Sequence, residues 1–173
     1  MSERPGLFDF AGQRTRTKRL WEAITWDEVA LFAGPNAGSF RGAFERTRPK
    51  MLAGHGGVSF GFCWPAFLFS FAWFFYRKMW AAGLALLLVP PALGYFIDSR
   101  GGAIGVLVAI SLFAKSLYVQ HAVWKIGGVR ERGGDDEAVA AHGGVSLAGG
   151  AVGGLILAAA GAAAVYLFME GVR

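Results

Sequence analysis

The chain has 173 residues, a formal net charge of +5, and 54% hydrophobic against 17% charged residues. That length suffices for one ordinary domain, and the composition is shifted from the average of soluble proteins towards that of membrane proteins. A single cysteine, Cys63, excludes an intrachain disulfide.

The first 20 residues are basic and poor in apolar side chains, which predicts a mobile tail. No apolar core follows the basic cluster between Arg14 and Arg19, so this is not a secretory signal. We expect an uncleaved N-terminus in the cytoplasm, where the tail is either solvated or touches anionic lipid headgroups. The cluster lacks an aromatic platform and a recognition motif, and therefore does not indicate nucleic-acid binding.

Two short helices are predicted after this tail. Thr25 and Glu28 fit a capping box at the start of the first, and Gly34 is a natural C-terminal cap. Pro35 can begin the second helix, which has an apolar face at Phe40, Ala43 and Phe44 and is expected to end at Pro49.

The second helix suits the membrane surface and packing on the protein equally well. Residues 1–52 are thus predicted as a cytoplasmic basic arm. A glycine-rich joint, 53–57, follows, and we expect its His55 to be a solvated loop residue.

The aromatic run from Ser59 to Trp80 has no charge before Arg77 and belongs in or on a bilayer. The stretch from Val58 to Tyr76, which contains most of this run, measures roughly 28 Å as one helix, so it could just cross. Pro65 and the aromatic density equally allow a helix that lies in the interface or re-enters.

Three further apolar segments follow, at Met79–Ile97, Ala103–Trp124 and Val145–Met169. We expect a kink at Pro90-Pro91 in the first and a polar turn from Asp98 to Gly102. The predicted fold is an all-α integral membrane protein with three to four transmembrane or re-entrant helices. After the arm, residues 53–126 are predicted to hold the aromatic segment and two transmembrane helices. Residues 127–144 are predicted to form a polar loop, and residues 145–173 a Gly/Ala-rich transmembrane helix.

The distribution of Lys and Arg favours three full crossings, with the aromatic run not crossing. This arrangement leaves 14 basic residues in the cytoplasm, whereas a crossing run leaves 11. The side chains expected near the membrane interface are Trp64, Trp73, Tyr76, Arg77, Lys78, Trp80, Lys115, Tyr118 and Trp124.

Small residues recur along the last segment in two rows. Ser146, Gly150, Gly154, Ala158 and Ala162 are spaced by four, and Gly149 and Gly153 lie beside them. Such a groove lets another helix backbone approach closely in lipid. It either packs against the segment Met79–Ile97 or Ala103–Trp124 of this chain, or receives a partner helix or a second copy.

Lys115 is the only ionisable residue well inside an apolar segment. It either snorkels to the interface or marks a pathway for a solute, with His121 near it. His121 and His142 lack a third ligand for zinc, and Asp135-Asp136-Glu137 is typical of a solvated surface.

We recognise no catalytic motif and expect no enzyme activity, cofactor or metal site. The predicted function is a small inner-membrane accessory or scaffold protein, whose partners are the lipid bilayer and other helices or a second copy. The alternative is a transporter or channel component that uses Lys115 and His121.

Two motifs resemble a bacterial family known as domain of unknown function family 2628. One is Phe32-Ala33-Gly34-Pro35-Asn36-Ala37; the other comprises Ser59-Phe60, Trp64-Pro65-Ala66-Phe67, Trp73 and Tyr76-Arg77-Lys78-Met79. Leu117-Tyr118 and His121 are similar to a later element, whereas Gly61-Phe62-Cys63 departs from the family by lacking Asn before Trp64. The resemblance covers about a third of the chain without the last segment. It implies a small multi-spanning inner-membrane protein of the bacterial cell and no activity that could be transferred.

Overall fold

Helices joined by short turns make up the computed structural model, which describes residues 10–54, 56–96 and 102–171. The described residues contain no β-strand, so the all-α prediction is confirmed there. His55 and residues 98–101 of the expected polar turn lie outside them. The helices are α1 (Phe10–Ala23), α2 (Trp26–Ala33), α3 (Gly38–Leu52), α4 (Trp64–Phe69), α5 (Phe71–Tyr76), α6 (Trp80–Phe96), α7 (Gly102–Arg130), α8 (Asp136–His142) and α9 (Leu147–Gly171).

The chain divides into two compact units. The charged unit comprises Met1–Gly61 and Lys115–Gly144, and the apolar unit comprises Phe62–Ala114 and Val145–Arg173. By sequence, the charged unit holds 23 of the 29 Lys, Arg, Asp and Glu residues and the apolar unit six, although their lengths are similar. The folded division therefore differs from the linear one that the sequence suggested, because α7 contributes residues to both units.

The helix α1 corrects the expectation of a mobile tail that extends to Leu20. Leu20 and Trp21 are buried, and the Trp21 ring stacks on Phe44 of α3 with 5.7 Å between centroids. Arg16 adds an ion pair with Glu131, at 2.6 Å between Nη2 and Oε2. Burial of an aromatic ring stabilises α1 through residues that are distant in sequence. Local composition therefore did not reveal the helix.

The capping box at the start of α2 is confirmed. The Thr25 hydroxyl accepts a hydrogen bond from the Glu28 amide at 3.4 Å, and the Glu28 carboxylate accepts one from the Thr25 amide at 3.1 Å. Gly34 follows as the C-terminal cap with φ 75°, which a side chain would make costly. Pro35 then lies in a 3₁₀ turn, Gly34–Asn36, before α3 begins.

The helix α3 does not end at Pro49, and this part of the prediction is wrong. It continues to Leu52, and the Pro49 carbonyl accepts from the amide of Ala53 at 3.0 Å. The buried stripe of α3 also continues past the proline to Met51, and burial there offsets the one hydrogen bond that proline cannot donate. The buried residues of this stripe are Phe40, Ala43, Phe44, Thr47 and Met51.

The aromatic run is not one long helix. It forms α4 and α5, of six residues each, separated at Ser70, whose φ of 45° and ψ of −125° interrupt the helical geometry. Each helix is about 9 Å long, far below the roughly 30 Å of a hydrocarbon core. Five side chains of α5 are buried: Phe71, Ala72, Trp73, Phe74 and Phe75.

A Schellman motif closes α5. The amide of Lys78 donates to Phe75 O at 3.1 Å, and the amide of Met79 donates to Phe74 O at 2.9 Å. Lys78 holds φ 58° at the position where glycine is usual. The basic pair of the family motif therefore lies in a turn, with the Arg77 side chain buried and Lys78 half-buried.

The longer helices carry the remaining apolar sequence. The helix α6 runs through Pro90-Pro91, and α7 continues beyond the expected end at Lys125 to Arg130. Two ranges, Gly105–Arg130 and Asp136–Ala163, have the length and apolar composition to cross a membrane. This supports membrane association by composition and length alone.

The segment 127–144 is not a loop throughout, which corrects the prediction. Its first residues complete α7, and α8 begins where the Asp135 carboxylate accepts a hydrogen bond from the Ala138 amide at 2.9 Å. Val139 of α8 is fully buried. A short amphipathic helix of this kind depends on its packing partner, and the polar composition of the segment concealed it.

Replacing Thr25 by Ala removes the oxygen that caps α2 and should destabilise that helix by about 0.5–2 kcal/mol. Hydrogen exchange of the Asp27–Leu31 amides measures the effect and should become faster. Thr17→Ala is the control, because the Thr17 hydroxyl bonds back to Gln13 O within α1 and caps no amide. Unchanged exchange in the Thr25 variant would refute the energetic role of the box.

Candidate functional site: the motif junction and the glycine face

Residues from separate motifs meet around Tyr118 in the charged unit. The fully buried Tyr118 ring lies 4.4 Å from Phe40 and 6.5 Å from Phe32, measured between centroids. Phe32 also lies 6.5 Å from the ring of His121. The element of Leu117, Tyr118 and His121 thus packs on the first motif and on α3, so Tyr118 belongs to the core and not to the expected membrane interface.

A cluster of buried hydroxyl groups joins three parts of the same unit. The Thr47 hydroxyl lies 2.8 Å from that of Ser59 and 3.0 Å from that of Ser116. The Ser116 hydroxyl also accepts from the Ser59 amide at 3.0 Å, and Gln120 Nε2 donates to it at 3.4 Å. Thr47 belongs to α3 and Ser116 to α7, so the cluster fixes the segment that carries Ser59 between these helices.

The hydroxyl cluster is structural in its chemistry. Nucleophilic catalysis by serine needs a base within hydrogen-bonding distance. In residues 10–54, 56–96 and 102–171, the hydrogen bonds of these hydroxyls go to one another, to Gln120 and to backbone groups. The sequence analysis missed this cluster, although Thr47 continues the apolar stripe of α3 and Ser59 stands in a recognised motif.

Arg130 connects three helices of the charged unit. Its Nε donates to Glu28 Oε1 at 3.0 Å, its Nη2 to Asp136 Oδ1 at 2.5 Å, and its Nη1 to Gly134 O at 3.2 Å. Glu28 therefore serves both the capping box of α2 and this ion pair. The acidic run expected to be a solvated surface contains two structural groups, since Asp135 caps α8 and Asp136 binds Arg130.

Two glycines of α9 form a close contact with the aromatic helix α5 in the apolar unit. A Cβ on Gly149 would lie 2.6 Å from Phe75 O, and one on Gly153 would lie 2.7 Å from Ala72 Cα. Both positions therefore require glycine. Gly150 is looser, because its Cβ would lie 3.0 Å from the Tyr76 ring.

The other predicted packing positions on α9 behave differently. Ser146 is a capping residue, since its hydroxyl accepts from the Gly149 amide at 3.0 Å and its own amide donates to Tyr76 O at 2.7 Å. A Cβ on Gly154 would meet nothing within 4 Å, and Ala158 and Ala162 are exposed. The expected groove thus contacts α5 along its Gly149–Gly153 side, with Trp80 of α6 beside Gly149, and leaves the row from Gly154 open.

The predicted interface residues are distributed between surface and core. Trp64, Trp80 and Trp124 are exposed, whereas Trp73 and Arg77 are buried. Tyr76 is half-buried against Gly150. Protein packing therefore fixes the positions of Trp73 and Arg77, as it does that of Tyr118.

Lys115 and His121 do not converge. Both are half-buried on α7, and a separation of six residues places them about 120° apart around the helix. His142 Nδ1 is hydrogen-bonded to Ala138 O at 2.8 Å on α8. Among the residues that the structure describes, no three His, Cys, Asp or Glu side chains are grouped to hold a metal ion.

Replacing Ser116 by Ala removes a hydroxyl that three buried or half-buried polar groups share. Buried polar groups that lose their partners cost about 1–3 kcal/mol. We expect a loss of this size in the thermal stability of the purified protein. The exposed Ser39→Ala variant should change stability by less than about 0.5 kcal/mol. Equal stability of both variants would contradict the structural role of the cluster.

The neighbouring glycines of α9 provide a matched pair of variants. Gly153→Leu forces a side chain into the backbone of α5 and should destabilise the protein by about 1–3 kcal/mol. Gly154→Leu points to open space and should leave thermal stability within about 0.5 kcal/mol. Equal losses in the two variants would disprove the observed orientation of α9.

No curated protein and no solved structure matches this chain. A family model does match residues 36–130, about 55% of the chain, and its description is protein of unknown function (DUF2628). The matched range begins within the first motif at Asn36, includes the aromatic run and the Tyr118 element, and ends at Arg130 before α8 and α9. The range extends beyond the third of the chain that the motifs alone covered. This chain therefore belongs to the DUF2628 family.

Proposed function

We propose that this chain is a small multi-spanning accessory or scaffold protein of the bacterial inner membrane that carries out no catalysis. Its apolar unit lies in the bilayer and contacts lipid and other membrane helices. The N-terminal arm and residues 127–144 of its charged unit lie in the cytoplasm. One observation carries the proposal: the charged residues are concentrated in one unit, and the exposed large apolar side chains are concentrated in the other.

The surface of the apolar unit supports a lipid environment. Of the 20 large hydrophobic side chains that are exposed in the described residues, 16 belong to this unit. On α9 they include Leu147 at 77% and Leu155 at 71% exposure. A soluble monomer rarely exposes a large apolar surface, because each buried apolar Å² is worth roughly 25 cal/mol.

Three crossings, by α6, α7 and α9, agree with the bias of Lys and Arg towards the cytoplasmic side. The aromatic run enters the membrane as two short helices and returns to the side from which it came. Its buried α5 then packs on protein and need not expose backbone to lipid, which the hydrocarbon core does not tolerate.

The open row on α9 supports a scaffold role. Gly154, Ala158 and Ala162 present small side chains at one-turn spacing, and this row is not consumed by the contact with α5. A partner helix, or α9 of a second copy, fits such a row. Transport through Lys115 and His121 is the second candidate function, and it receives less support because the two side chains face different directions from α7.

Reporter fusions after Met79, after Arg132 and at the C-terminus test this topology. We expect cytoplasmic, cytoplasmic and periplasmic readings, respectively, because the aromatic run returns before α6 crosses. A periplasmic reading after Met79 would mean that the run crosses, and would overturn the arrangement. A control fusion before Leu20 should read cytoplasmic in either case.

A further inference from the structure

Basic side chains on the second half of α3 have no acidic partner among the residues that the structure describes. Arg46, Arg48 and Lys50 form no ion pair with any residue in the described ranges, and the neighbouring Glu45 is paired with Arg41 at 3.0 Å. Arg48 lies over the Phe44 ring, 5.6 Å from its centroid. Arg46 and Lys50 thus remain as two exposed charges without an acidic partner in the part of the chain that the structure describes.

Arg46 and Lys50 reach the same stretch of chain. They are four residues apart and so share a face of α3. Lys50 Nζ donates to Val58 O at 3.2 Å. A Cβ on Gly61 would lie 2.9 Å from Arg46 Nη2, so the absence of a side chain at Gly61 leaves room for the guanidinium.

In the chain, the exposed residue Phe60 lies between Val58 and Gly61, the two residues that Lys50 and Arg46 approach. Phe60 is 66% exposed, whereas its neighbour Ser59 is buried and held by the hydroxyls of Thr47 and Ser116. The fixed backbone at Ser59 orders the position from which Phe60 projects. The unit thus presents an exposed aromatic side chain from the same short segment that Arg46 and Lys50 approach, and hydrogen bonds at Ser59 hold this segment.

We propose that Arg46, Lys50 and Phe60 bind the headgroup region of an anionic phospholipid, and this inference rests on the proposed membrane function. Guanidinium and ammonium groups donate to the phosphodiester oxygens, with the guanidinium suited to two parallel hydrogen bonds. The ring enters the boundary between headgroups and acyl chains, where aromatic side chains are favoured.

A lipid fits these residues better than a soluble polyanion does. Charge alone would attract either one, but the exposed ring of Phe60 gains free energy only where it leaves water. Phe60 also stands two residues before Phe62, at which the apolar unit begins. The chain therefore enters its apolar part directly after this site.

Titration of the detergent-purified full chain with short-chain lipids tests the proposal. Dihexanoylphosphatidylglycerol should raise the thermal unfolding temperature, while dihexanoylphosphatidylcholine and inorganic phosphate should not. An Arg46→Gln/Lys50→Gln variant should bind the anionic lipid roughly tenfold or more weakly. Phe60→Ser should also weaken binding. An equal shift with phosphatidylcholine, an equal shift with phosphate, or affinity of the double variant within twofold of the parent's would each overturn the proposal.

Three control variants separate a built site from general electrostatic attraction. Arg14→Gln/Arg19→Gln removes the same charge from exposed positions on α1 and should retain binding. Gly61→Ala keeps every charge but displaces the Arg46 guanidinium, and should weaken binding. Gly38→Ala, where a Cβ meets nothing within 4 Å, should not. Equal losses of binding in the Arg46→Gln/Lys50→Gln and Arg14→Gln/Arg19→Gln variants would refute the site. Full binding by Gly61→Ala would also refute it.

Extraction of cell membranes at alkaline pH distinguishes the two proposals. Protein that stays in the membrane pellet but shows no preference for phosphatidylglycerol contradicts the headgroup site alone. Release into the supernatant contradicts the proposed integral membrane function itself.

Discussion

The close approach of α9 to α5 holds the apolar unit together. At Gly149 and Gly153 the last helix comes so near the backbone around Ala72 and Phe75 that a methyl group would not fit. Dispersion contacts between two backbones replace side-chain packing there, and such contacts also operate in lipid, where no hydrophobic effect drives helices together. Turns at Ser70 and Lys78, both with positive φ, bound the short helix that makes this contact.

The backbone at those turns is costly. Ser70 and Lys78 have positive φ, which non-glycine residues adopt at an expense of about 1–3 kcal/mol when the conformation is rare. Hydrogen bonds compensate in part. The Ser70 amide donates to Ala66 O at 2.9 Å, and the Schellman bonds satisfy the end of α5. The aromatic residues between the turns are buried against protein.

The charged unit is held by a different kind of interaction. Buried hydroxyls at Thr47, Ser59 and Ser116 satisfy one another, and Arg130 links α2 and α8 through carboxylates. Three of these contacts, Thr47–Ser116, Ser59–Ser116 and Glu28–Arg130, connect residues more than 50 positions apart in the chain. In the hydroxyl cluster and in the Arg130 ion pairs, polar groups that the composition predicts to be solvent-exposed determine how the helices assemble. The hydroxyl cluster also holds the segment that carries Phe60.

The sequence by itself determined the helical class, the capping box at Thr25, the end of α2 at Gly34 and membership of the family. The helical class, the capping box and the end of α2 depend on residues that are close together in the chain, so local physics suffices for them. Tertiary structure decided the rest. Whether α1 forms depends on the burial of Trp21 against Phe44, and α3 passes Pro49 because its buried stripe continues. The division of the aromatic run at Ser70 and the choice of Gly149 and Gly153 over the row from Gly154 depend on which helix lies opposite, and no local pattern encodes that partner.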